Sequence, residues 1–137
     1  ALQRTFLAPD GSGKAAIDQP RRMLGEPGRG AVQLAEAGTT LGLAEGIESA
    51  LSATELLGIP VWASLGTRRF ADITIPEQVT RLVLLADPDK AGRAAAADAA
   101  ARLARPGLRI VTHWPDAGTG DWNDVAQAGR GEGAALM

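Results

Sequence analysis

The sequence predicts an α/β fold: a mainly parallel sheet of about four strands, flanked by helices, with an N-terminal β-hairpin-like extension. Residues 81–86 form an almost uninterrupted apolar segment, as in strands that are buried on both faces. From residue 39 onward, short apolar segments alternate regularly with longer helical ones, as in parallel sheets. Residues 9–13 carry strong turn chemistry, which favours a hairpin in the less regular N-terminal part.

Composition limits the class of protein. The chain has 137 residues, of which 45% are hydrophobic and 22% charged, as in an ordinary globular domain. A net charge of −2 gives no general basic surface for nucleic acid. Cysteine is absent, which excludes disulfides, cysteine-ligated zinc and a thiol nucleophile. We expect a cytoplasmic protein without membrane partners and, because no initiator methionine is present, a piece of a longer protein.

The N-terminal extension is predicted at 1–38 and the core at 39–137. Within the extension, one strand is expected in 2–8, and its partner in 14–17 or slightly beyond. Residues 20–30 are expected to be a loop, and residues 31–34 a short strand. The segment is mildly basic, which a solvated surface explains as well as a phosphate contact does. We expect it to pack on the sheet of the core.

The Gly-Ser-Gly-Lys sequence at 11–14 does not fit a phosphate-binding Walker loop. That loop requires a glycine five positions before its Gly-Lys pair and a Ser or Thr after the lysine. Ala8 and Ala15 occupy these places. The sequence therefore predicts only the turn of a hairpin.

The core is predicted to alternate strands and helices. Gly58 and the Pro106-Gly107 pair are typical of helix ends. The predicted strands are 41–44, 61–64, 81–86 and 108–113. The predicted helices are 47–57, 91–104 and 121–128, with a shorter one at 68–73.

Acidic residues follow three of the predicted strands. They form three pairs: Glu45 with Glu48, Asp87 with Asp89, and Asp121 with Asp124. Each pair has a structural explanation, because acidic residues favour helix N-termini and aspartate is a preferred cap or turn residue. Since parallel strands end at one edge of a sheet, the three pairs are expected to converge there. Closely spaced carboxylates repel one another unless a cation intervenes, and oxygen ligands suit Mg²⁺.

The motifs resemble those of the Toprim domain. The resemblance rests on Leu-Ala-Glu-Gly at 43–46 after a strand and on Leu-Leu-Ala-Asp-Pro-Asp-Lys-Ala-Gly-Arg at 84–93 before a helix. Gly-Asp-Trp-Asn-Asp at 120–124 is similar to the acidic motif that follows the last core strand in that family. The form at 84–93 is most similar to the primase branch, including phage and plasmid primase-helicases of DNA replication. The resemblance covers roughly residues 39–128.

The resemblance implies Mg²⁺- or Mn²⁺-dependent nucleotidyl transfer, in which Glu45 is a general acid or base and Asp87 and Asp89 hold the metal. Asp121 would complete the metal site, with support from Glu48 and Asp124. The second acid usually lies four residues after the catalytic glutamate, whereas Glu48 lies three after Glu45, which leaves its role open. Lys90, Arg93 and Arg68 are candidate contacts to nucleotide or DNA, although solvent-exposed side chains would look the same.

Primer synthesis on single-stranded DNA from nucleoside triphosphates is the function that the resemblance favours. The expected partners are flanking template-binding and helicase domains. A Toprim nuclease and a non-catalytic RecR-like module remain open. A topoisomerase is disfavoured because the chain has no tyrosine nucleophile. A receiver domain is disfavoured because strand 108–113 lacks a phosphorylatable aspartate.

Overall fold

The computed structural model describes residues 1–116, 118 and 120–135, of which residues 130–135 are described by their backbone alone. The predicted core, 39–137, thus includes a few positions outside the described residues. The elements run in the order β1 (Leu2–Thr5), β2 (Arg21–Leu24), β3 (Val32–Gln33), β4 (Thr40–Ala44), α1 (Ile47–Leu57), β5 (Val61–Ala63), a 3₁₀-helix (Thr67–Asp72), β6 (Arg81–Leu85), α2 (Lys90–Arg102), β7 (Arg109–His113) and α3 (Trp122–Ala135).

Among the described residues, five strands form the central sheet in the order β3-β5-β4-β6-β7. The four predicted core strands, β4 to β7, are mutually parallel, which confirms the predicted fold class. The fifth strand, β3, lies in the predicted extension and pairs antiparallel with β5. The N-terminal segment therefore contributes one edge of the main sheet.

The apolar segment that includes β6 is buried on both faces, as its sequence predicts. Leu82 and Leu84 pack into a cluster with Phe70 of the 3₁₀-helix and residues of α2. Val83 and Leu85 pack on the opposite side, into a cluster with residues of α1 and α3. Successive strand residues point to opposite faces, so a strand between two helical layers must be apolar at every position.

The N-terminal hairpin forms farther along the chain than the sequence predicts. β1 pairs antiparallel with β2, from Leu2 opposite Leu24 to Thr5 opposite Arg21. Near the turn, an isolated bridge joins Leu7 to Lys14. Phe6 then bonds to both Ala15 and Pro20, at 2.8 Å each, so residues 16–19 bulge out between these contacts. The prediction of a loop over 20–30 was wrong at β2, because the bulge at 16–19 interrupts the second strand, which continues at residues 21–24.

The strand order places the ends of β4 and β6 side by side. The chain leaves β4 to form β5 on one side and later returns to form β6 on the other. Such a reversal of direction opens a crevice at the carboxyl ends of the two strands, where α/β proteins bind ligands. No helix in the described part of the chain is long and apolar enough to cross a membrane.

Candidate active site at the carboxyl edge of the sheet

A cleft of about 340 Å³ lies at this edge. It brings together acidic residues from all three predicted clusters and two basic residues from the N-terminal hairpin. Its lining residues are Lys14, Arg21, Glu45, Gly46, Glu48, Ser49, Asp87, Asp121 and Asn123.

Glu45 follows β4 directly and is held by the loop after β5. Its carbonyl oxygen accepts a hydrogen bond from the backbone N–H of Leu65, at 2.8 Å. Its carboxylate accepts a hydrogen bond from the Thr67 hydroxyl, at the start of the 3₁₀-helix. Sequence analysis did not identify Thr67, because it lies 22 residues from Glu45 and belongs to no recognised motif. The glutamate is therefore oriented by a neighbouring strand end.

Asp87, which follows β6, has a raised pKa. Burial and, after it, the negative charges of Glu45, Asp121, Asp89 and Asp124 together raise its pKa from 3.8 to about 6. The proton is held because ionised Asp87 would be partly desolvated and surrounded by like charge. The same accumulation of negative charge attracts a cation.

Asp89 is positioned by the helix that it begins. It is the N-cap of α2, and its carboxylate accepts a hydrogen bond from the backbone N–H of Gly92 at 2.6 Å. The capping explanation for this residue is thus confirmed. One carboxylate oxygen makes the cap, and the side chain remains exposed, so the group can still accept a second ligand.

Asp121 and Asp124 bond to each other's backbone at the start of α3. The Asp124 N–H donates to the Asp121 carboxylate at 2.9 Å, and the Asp121 N–H donates to the Asp124 carboxylate at 3.2 Å. This reciprocal arrangement is a capping box made from two aspartates. The adjacent Asn123 accepts a bond from Ser52 of α1 at 3.2 Å, which ties the two helices together beside the cleft.

Glu48 forms an ion pair that the sequence analysis did not predict. It lies in the first turn of α1 and forms an ion pair with Arg21 of β2. Lys14, close to the hairpin turn, lines the same cleft. The mild basicity of the N-terminal segment was the available signal, but only the pairing of β1 with β2 shows which of its cations reach the acids.

The three basic residues that the sequence analysis proposed as nucleotide or DNA contacts lie outside the acidic cleft. Arg93 is exposed and stacks on the Trp114 ring, with 4.9 Å from its guanidinium carbon to the ring centroid. Lys90 is exposed at the first position of α2, and Arg68 lies beside α2 in a separate groove. None of these side chains lines the acidic cleft.

The carboxylates fit a divalent cation in chemistry and charge. Within the described part of the chain, no three acidic or histidine side chains are grouped closely enough to hold a metal ion as they stand. The contacts above explain this, because Glu45 is turned to Thr67 and Asp121 to the backbone of α3. Asp87 has no hydrogen-bond donor among the described residues. Its pKa is raised first by burial and then by neighbouring negative charges, which a cation would neutralise.

The fold is similar to solved primase domains. The primase fragment of the bacteriophage T7 primase-helicase protein has a TM-score of 0.53 and 22% identity, over 75% of this chain and 44% of that one. A DNA primase domain from Pseudomonas aeruginosa has a TM-score of 0.51 and 20% identity, over 65% of this chain and 29% of the other. This chain therefore spans less than half the length of either protein.

A third similar chain comes from a structure of bacteriophage T7 lagging-strand DNA polymerase interacting with primase domains bound to an RNA/DNA hybrid and dTTP. Its TM-score is 0.53 and its identity 24%, over 72% of this chain and 53% of that one. The comparison with curated proteins gives no match.

Two family models match the sequence. Residues 1–34 match a domain of unknown function, DUF7146, and residues 40–131 match the Toprim domain. The Toprim match spans the parallel strands, the acidic clusters and the helices that position them. This chain belongs to the Toprim domain family.

Proposed function

We propose that this chain is the catalytic domain of a primase, a Mg²⁺-dependent nucleotidyltransferase that makes RNA primers on single-stranded DNA. The observation that carries the proposal is the convergence of Glu45, Asp87 and Asp121 on one cleft. Membership of the Toprim family and the similarity of the fold to primase domains support it. The template-binding and helicase functions would belong to other parts of a longer protein.

The reaction joins the 3′ oxygen of a primer to the α-phosphorus of a nucleoside triphosphate and breaks the bond to pyrophosphate. Glu45 is the residue suited to accept the proton of the 3′ hydroxyl, because Thr67 fixes its carboxylate at the wall of the cleft. Asp87 and Asp89, with Asp121 completing the set, would hold Mg²⁺. The bound cation would neutralise the negative charge on the phosphate oxygens.

The proposal is tested by calorimetric titration of Mn²⁺ into the chain with and without a nucleoside triphosphate. We expect the wild type to bind Mn²⁺ more tightly when triphosphate is present. Asp87→Asn removes a charge from the lining of the cleft and should weaken this binding at least about tenfold. Glu77→Gln removes an equivalent charge from an exposed turn before β6, at the opposite edge of the sheet, and is the matched control.

Incorporation of labelled ribonucleotides on a single-stranded template then tests the reaction itself. Primer synthesis that is lost in Glu45→Gln would support the proposal. Equal Mn²⁺ binding by Asp87→Asn, Glu77→Gln and the wild type would contradict it, since the acids would then serve only as caps. Cleavage of a labelled phosphodiester without synthesis would identify a nuclease.

A further inference from the structure

Two basic residues of the N-terminal hairpin enter the acidic cleft. Lys14 and Arg21 line it together with Glu45, Asp87 and Asp121, although the hairpin lies outside the region that matches the Toprim domain. A cleft of carboxylates alone repels a polyphosphate, so cations on the facing wall change which ligands it accepts. The hairpin therefore provides the electrostatic feature that the core lacks.

The pairing of β1 with β2 decides which cations reach the cleft. Adjacent strand residues point to opposite faces of a hairpin. Arg21 turns toward Glu48 of the core, whereas Arg22 turns away and lies over the Phe6 ring at 5.2 Å. Lys14 reaches the cleft because its bridge to Leu7 closes the hairpin next to the turn.

Both cations retain donors for an anion. A guanidinium carries five N–H donors. In Arg21 one of them, at Nη2, donates to the Glu48 carboxylate, and the Nε–H is buried without a partner among the described residues, which leaves three donors at Nη1 and Nη2. Its Nη1 lies near Gly46, at the N-terminus of α1. Lys14 is exposed and forms no ion pair with any residue that the structure describes. Glu48 thus acts as a positioning residue that holds the guanidinium at the wall of the cleft.

We infer that Lys14 and Arg21 bind the phosphate groups of the incoming nucleoside triphosphate, so that residues 1–34 form the phosphate-binding wall of the active site. The inference rests on the proposed function and extends it to a segment whose own function is unknown. The volume of about 340 Å³ is that of a small-ligand site, which favours a nucleotide over a polynucleotide strand. The fork of the arginine suits two phosphate oxygens at once.

The test compares Arg21→Gln and Lys14→Gln with Arg22→Gln in the whole chain. Arg22 is the matched control, because it neighbours Arg21 in β2 but faces away from the cleft. Calorimetry measures binding of ATP in the presence of Mn²⁺, and a separate titration measures binding of a labelled single-stranded oligonucleotide. We expect ATP binding to weaken about tenfold or more in Arg21→Gln and several-fold in Lys14→Gln, and to stay within about twofold of wild type in Arg22→Gln.

Lys14→Gln is a variant whose loss of ATP binding could not be explained by misfolding. The Lys14 side chain is exposed and breaks no ion pair on replacement, so this variant should keep the wild-type circular dichroism spectrum and melting temperature. Arg21→Lys keeps the charge but loses the fork, and should recover part of the ATP affinity.

The outcomes separate the two proposals. If the wild type shows no Mn²⁺-dependent ATP binding, the proposed function fails and the inference fails with it. If the wild type binds ATP and both Lys14→Gln and Arg21→Gln bind it equally well, the inference alone is overturned. Weakened oligonucleotide binding with unchanged ATP binding would also overturn it, because the cations would then contact the backbone of a nucleic acid strand.

Discussion

Replacing Gly92 with alanine should destabilise this protein, although the same change stabilises most helices. Gly92 lies in the first turn of α2, against the backbone of Asp87. A Cβ atom there would lie 3.0 Å from the carbonyl carbon of Asp87 and 3.2 Å from its nitrogen, and closer still to its carbonyl oxygen. These are three backbone atoms of one residue, so no side-chain rotation can relieve the contact.

The expected cost follows from the adjustment that the contact forces. The start of α2 must move away by about 1 Å, which in a close-packed interior costs roughly 1–3 kcal/mol. The shift also loosens the cap from Asp89 to Gly92, worth about 1 kcal/mol, and the higher helix propensity of alanine returns a similar amount. We therefore expect Gly92→Ala to lower the free energy of unfolding by about 2 kcal/mol.

Gly129→Ala is the control for this prediction. Gly129 lies in α3, and apart from its chain neighbours and its own helix backbone, no atom of the described residues comes within 4 Å of the position of its added Cβ. There, alanine should raise the free energy of unfolding by about 0.5–1 kcal/mol. Urea denaturation followed by circular dichroism measures both changes. If Gly92→Ala proved as stable as the wild type while Gly129→Ala was more stable, the close contact between α2 and Asp87 would be refuted.

Three further predictions concern single side chains. Asp87→Asn should stabilise the chain at pH 7 by about 1–2 kcal/mol, after allowance for solvent screening of this partly exposed group. The pKa of Asp87 is about 6 in the folded chain, against an ordinary value of 3.8, so its ionisation should lower the free energy of unfolding of the wild type as the pH rises from about 4 to 6. Asp87→Asn should lack this decrease, and a variant whose stability followed the wild-type pH profile would contradict the prediction. In the proposed primer synthesis, Thr67→Val should lower kcat about tenfold with KM unchanged, and Thr67→Ser should restore it, because the hydroxyl orients Glu45. Arg105→Ala should lower the unfolding free energy by about 2 kcal/mol in chemical denaturation, because Arg105 donates to the carbonyl oxygens of Ile75, Pro76 and Val79, whereas the exposed Arg109→Ala should change it little.

The core fold could be predicted because its signals are local. The four successive apolar residues of β6, followed by Ala86, require burial on both faces, and alternating helices require parallel strands between them. The acidic residues could be identified for the same reason, since Glu45 and Asp87 come directly after strands. Their positions in the sequence were enough to place them at one edge of the sheet.

Local sequence signals could not predict which distant segments of the chain pair with each other. The turn chemistry of residues 9–13 predicted a hairpin, but the bulge at 16–19 depends on the bonds of Phe6 to Ala15 and Pro20. The second strand was consequently placed too early. Thr67 and Arg21 were not connected to Glu45 and Glu48, because they lie 22 and 27 residues away and share no motif with them.

The sequence by itself determined the α/β class, the strands of the core and the acidic residues at their ends, because strand burial and helix capping act between neighbours along the chain. Only the tertiary structure decided that β4 lies beside β6, so that Asp87 is partly buried and close to Glu45, and both effects raise its pKa. It also decided that Lys14 and Arg21, rather than Lys90 and Arg93, face the cleft. Strand order and hairpin register set which distant side chains share one site, and neither is written in local sequence.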